Sequence, residues 1–62
     1  MTTWTVTKDE DGPWEITRDG LLVEAIRSSY DAYEVLAIAE ARAGESLAWR
    51  LDGNGGFVGT AS

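Results

Sequence analysis

The hydrophobic period of this chain changes from two residues to 3.6 and back again, and that pattern limits the folds open to it. Thr3-Trp4-Thr5-Val6-Thr7 alternates and is rich in β-branched and aromatic residues, so it predicts a strand with Trp4 and Val6 on one face. Trp14-Glu15-Ile16-Thr17-Arg18 repeats the pattern with Trp14 and Ile16 inward. Leu21 to Ile26 reads as a third strand, in which Leu22 and Ile26 compete with Leu21 and Val23 for the core. Leu47-Ala48-Trp49-Arg50-Leu51 alternates once more, with Leu47, Trp49 and Leu51 facing inward, and Phe57-Val58 suits a short last strand. Between these runs, Ala32, Val35, Leu36, Ala39 and Ala43 recur on one face of a helix.

The connecting segments carry matching turn chemistry. Lys8-Asp9-Glu10-Asp11-Gly12-Pro13 is polar and ends in Gly-Pro, which reads as a loop. Asp19-Gly20 suits a tight hairpin because both residues tolerate positive φ. Ser28-Ser29 offers an N-cap, with Asp31 and Glu34 placed where the helix dipole favours negative charge. Gly44 is a natural left-handed stop, with Arg42 suited to the last turn. Asp52-Gly53-Asn54-Gly55-Gly56 is a turn, and Thr60-Ala61-Ser62 is expected to fray. The prediction is a single α+β domain over residues 1–62: a small antiparallel sheet in the order β-β-β-α-β, with a possible short final strand and one helix packed on one face.

Composition then narrows the chemistry. A chain of 62 residues buries only about 60% of its unfolded surface, so the core is thin and self-association can add to stability. Cysteine is absent, so neither a disulfide nor a thiolate metal site can staple that core, which fits the cytoplasm. Histidine is absent too, which removes the commonest general base and metal ligand. The start of the chain, Met1-Thr2-Thr3-Trp4, lacks the basic and apolar regions of a signal peptide. No apolar run approaches the roughly 18 residues of a membrane span. Glu34, Glu40 and Glu45 form no convincing acid–base pair, so no catalytic residue and no enzyme activity are expected. Asp52-x-Asn54-x-Gly56 opens like a calcium loop, but Phe57 stands where the invariant glycine belongs, and no metal or cofactor is expected.

Trp4-x-Val6, Gly12-x-Trp14-x-Ile16, Arg18-Asp19-Gly20, the alanine-rich helix and Leu47…Arg50-x-Asp52-Gly53 together resemble a family of short uncharacterised bacterial and phage domains. The resemblance covers roughly residues 4–58. It implies three strands, a helix and a closing strand, and carries over no functional residue. Ser28-Ser29-Tyr30 replaces the aromatic-x-Thr helix start of that family, and Gly55-Gly56 follow the closing turn.

Five basic against eleven acidic residues give a net charge of −6, which repels nucleic-acid phosphates. The charge and the aromatic residues point to a small acidic protein-interaction module, and a phage or bacterial accessory protein acting on a host protein is one setting for it. The candidate partner-binding residues are Asp9, Glu10 and Asp11, which would steer a basic partner, with Tyr33, Glu34 and Ile38 on the helix. Tyr33 joins apolar area to a polar tip. Ile38 lies roughly 90° or more from the centre of the apolar helix face, beside Ala37 and Ala41, and is expected to be an exposed dimer or partner contact. Two other readings compete. Trp4, Trp14 and Trp49 on the uncovered sheet face would stack bases, as in the arm-binding domains of phage integrases, if Arg18, Arg27 and Arg50 shared that face. Alternatively the chain assembles with itself, as a homodimer or larger oligomer, through a strand edge or the helix face.

Overall fold

The computed structural model describes residues 2–61. Its elements run β1 (Thr3–Lys8), β2 (Trp14–Arg18), β3 (Leu21–Ile26), α1 (Ala32–Ala43), β4 (Leu47–Leu51) and β5 (Phe57–Ala61). The strands form one antiparallel sheet in the order β3-β2-β1-β5-β4, and the single helix covers one face of it. The last strand is therefore internal. Thr60 pairs with Thr3 on one side and with Ala48 on the other, and Ala61 pairs with Leu47. Thr60 and Ala61 are held by neighbours rather than frayed, while Ser62 lies outside the described residues.

Strand register settles the faces. Residues directly opposite one another share a side of the sheet. Val6 pairs with Ile16 and Phe57, and Trp4 with Gly59, which in turn pairs with Trp49. Trp14 pairs with Ile26. All three tryptophans thus lie on the helix side, where Trp4, Val6, Trp14, Ile16, Ile26 and Leu47 join Val35 and Ala39 of α1 in one buried cluster. In β3 the competition is won by Ile26, which is buried, whereas Leu21, Leu22 and Val23 are exposed. A register shift opposite Ile16/Thr17 leaves Val23 unpaired, which explains why no simple alternation runs through that strand.

Asp19 and Gly20 both adopt positive φ, 51° and 85°, as the type I′ hairpin requires. The hairpin is further tied to β1: the Asp19 N–H donates to the Thr3 carbonyl at 2.7 Å, and the Thr3 N–H donates to Asp19 Oδ1 at 2.9 Å.

The helix starts later than the serines suggest. Asp31 is its N-cap: Asp31 Oδ1 accepts from the Glu34 N–H at 2.9 Å, and Glu34 Oε1 accepts from the Asp31 N–H at 3.0 Å. This reciprocal capping box satisfies two backbone donors at once, an advantage that neither Ser28 nor Ser29 can match without a glutamate three residues on. Residues 28–30 instead form a turn, closed by the Tyr30 N–H on the Arg27 carbonyl at 3.1 Å. Trp14 Nε1 donates to the Tyr30 carbonyl at 2.9 Å and fastens that turn to β2. Gly44 ends the helix in the left-handed conformation at φ 74°.

Candidate functional site

The centre line of the buried helix face runs between Val35 and Ala39. At 3.6 residues per turn, Leu36 and Ile38 each lie about 80° from it, on opposite flanks. Ile38 is consequently half-buried and packed against the core, not the exposed contact its sequence position suggests. The same geometry separates Ile38 from Tyr33. Ile38 shares its flank with Arg42, whose Nε donates to Glu24 Oε1 of β3 at 2.6 Å. Tyr33 shares the other flank with Glu40, whose Oε2 accepts from the Leu47 N–H of β4 at 2.8 Å. The helix lies over β1, the middle strand, so one flank faces β3 and the other faces β4.

On the β4 side, helix and sheet diverge and leave a groove of about 470 Å³. Leu36 and Ala37 form one wall, Trp49 and Phe57 the other, and Tyr33 and Leu51 stand at its mouth. Tyr33 is 83% exposed and Leu51 71%. Glu40 and Arg50 are the charged residues that line it. Leu51 is level with Phe57 and the buried Val6 but lies at the sheet edge, away from the helix over β1, which is why a residue patterned for the core remains uncovered. The Trp49 indole N–H is buried without an acceptor among the described residues, so the groove wall holds an unsatisfied donor.

Strand direction gathers the carboxylates. The β1–β2 loop, the start of α1 and the β4–β5 turn all fall at one end of the sheet. Asp9, Glu10, Asp11, Asp31, Glu34 and Asp52 lie there, answered at that end by Lys8, Arg27 and Arg50. Asp9, Glu10 and Asp11 are exposed, as a steering surface requires, but none of them lines the groove. Glu34 is exposed and also holds the capping box, so its carboxylate already has a structural task. The fold therefore brings Tyr33, Glu34 and the acidic loop to one end, and it sends Ile38 elsewhere. Leu36, Trp49 and Leu51 are groove residues that periodicity alone assigns to the core. The one available signal was that Leu51 ends its strand immediately before the Asp52 turn.

Asp52 organises that turn. Its Oδ1 accepts from the Asn54 N–H at 2.7 Å and the Gly56 N–H at 3.0 Å. Those two donors hold its carboxyl below the usual carboxylate range. A depressed folded-state pKa contributes stability above the unfolded value, about 3.9, and that contribution is lost as pH falls through the folded value. The stability gap between the native chain and Asp52→Asn should be constant above about pH 5 and should shrink below about pH 4. Urea midpoints at neutral and acid pH measure it, and a gap that widens in acid would contradict the assignment.

The open sheet face has different chemistry. Thr3, Thr5, Thr7, Thr17 and Thr60 populate it, and the Thr5 and Thr17 hydroxyls are hydrogen-bonded across the β1–β2 pair. No aromatic side chain of the described strands lies on it. Arg18 pairs with Trp4 and so takes the helix side, whereas Arg50 pairs with Val58 on the open side. Two of the three arginines needed for a basic sheet face are thereby divided between its two faces. Among the described residues no group of three or more carboxylates is placed to hold a metal ion, and no helix is long and apolar enough to cross a membrane.

No protein-family model, curated protein or solved structure matches this chain.

Proposed function

We propose that this protein is a small protein-interaction module that binds a basic partner through the groove between α1 and β4. The observation that carries this reading is the exposure of Tyr33 and Leu51 at the mouth of an apolar groove, at the end of the sheet where the carboxylates collect. Aromatic and aliphatic anchors in a concave site supply affinity, and a surrounding field of one sign supplies steering and partner choice. A nucleic-acid interface on the sheet has less support, because its open face lacks aromatic side chains and its arginines are split between faces.

Selection from a random displayed heptapeptide library on the full chain tests the reading. Recovered peptides should combine lysine or arginine with apolar residues and should weaken as salt rises. Tyr33→Asp should reduce their affinity at least tenfold, which corresponds to about 1.4 kcal/mol. Tyr33 is too exposed for that change to unfold the domain. An empty selection, acidic peptides, or indifference to Tyr33→Asp would each overturn the proposal.

A further inference from the structure

The groove is bordered by an open strand edge, that of β4. The Asp52 N–H donates to the Gly56 carbonyl at 3.1 Å, so this pair, one step past Leu51/Phe57, is of the hydrogen-bonded type. Hydrogen-bonded and non-hydrogen-bonded pairs alternate along an antiparallel ladder. Arg50 and Ala48 therefore bond inward to β5, while Leu51, Trp49 and Leu47 turn their N–H and C=O groups outward. The Leu47 N–H agrees with this phase, since it is taken by Glu40 instead of β5. At Trp49 and Leu51 no other backbone partner occurs among the described residues. The side chains of those same two residues line the groove.

Resting on the interaction reading above, we propose that the bound segment is an extended basic peptide that adds as a sixth strand to the edge of β4, hydrogen-bonding Trp49 and Leu51 and placing alternate apolar side chains beside Tyr33. Strand addition draws affinity from the main chain and specificity from every second side chain, and here the free edge and the apolar groove occupy one place. The opposite edge suits this poorly. In β3 the register shift at Val23 interrupts the ladder, a common device for blunting an edge, whereas β4 pairs in unbroken register and contains neither proline nor lysine. A second copy of the chain is the weaker occupant. It brings another net charge of −6, and its β4 has Leu47 and most of Trp49 already buried under its own helix. A basic peptide brings the opposite charge and free side chains.

The test uses a peptide recovered by the selection above, synthesised with single N-methyl groups at successive amides, against the full chain. Methylation should weaken binding at least tenfold at alternate positions and leave the positions between them near the parent affinity. Amide exchange at Trp49 and Leu51 should slow at least tenfold on binding, while Leu47, already bonded to Glu40, should change little. An empty selection overturns the interaction reading and this inference together. A peptide that binds with no alternation in the methyl scan, that protects β3 amides instead, or that binds only to a dimer of the chain overturns this inference alone.

Discussion

Truncating Ile16 to alanine is expected to cost about 2–5 kcal/mol, the range for deleting a buried branched side chain. Ile16 is fully buried on β2, opposite Val6, in the same cluster as Val35 and Ala39 of the helix. A domain of this length holds about 3–9 kcal/mol in total. At mid-range values only about 2–3 kcal/mol would remain, so the single change should lower the urea midpoint by about half. Urea denaturation followed by tryptophan emission reads this directly, because all three tryptophans lie on the covered side of the sheet. Leu21→Ala is the matched control: Leu21 is 73% exposed, and its loss should stay within about 0.5 kcal/mol. A loss below about 1 kcal/mol at Ile16 would contradict the packing described for the core.

Gly59 gives the second large effect, with a sign opposite to the one propensity suggests. Glycine weakens a strand, so alanine or valine at a paired position of β5 should help by up to about 1 kcal/mol. In the folded protein the Trp49 ring lies across Gly59, and a Cβ there would sit 2.7 Å from two atoms of that ring. Relief of that contact requires the Trp49 ring, which packs against the core on one side and lines the groove on the other, to leave its place. Gly59→Ala should accordingly destabilise by about 1–3 kcal/mol, the usual cost of overfilling a packed site. In a Trp49→Ala background the same change should become neutral or stabilising, and the double-mutant cycle isolates the contact. Equal losses in both backgrounds would show that the ring is not the cause.

Ile16 and Gly59 differ in how much of their environment is encoded locally. Alternation alone points Ile16 inward, with Trp14 and Leu47, and puts Val6 on one face with Trp4. Gly59 bore no local mark. Its closeness to Trp49 depends on the pairing of β4 with β5, and its role between Trp4 and Trp49 depends on β5 entering the middle of the sheet. Of the candidate binding residues, Tyr33 and the acidic loop are exposed as their character suggested. The groove itself was not legible, because it needs the helix to lean over β1 and leave β4 half covered.

The helix shows the boundary in one element. Its apolar face, its glycine stop and the hairpin at Asp19-Gly20 follow from side-chain spacing and backbone conformational freedom, which act within a few residues and are present in the sequence as it stands. Its N-cap went to Asp31 because two reciprocal hydrogen bonds outcompete one. Ile38 went to the core because the sheet it packs on extends to both sides of the helix axis, which shifts the centre of the buried face. Sequence alone determined which segments are strands, which is the helix and, for the alternating strands, which side chains share a face. Only the tertiary structure decided that the last strand lies between the first and the fourth, that every tryptophan sits beneath the helix, and that the β4 edge stays open beside an apolar groove. The reason is that short-range periodicity is encoded residue by residue, whereas the pairing of distant strands is chosen by whichever arrangement buries all the apolar faces at once.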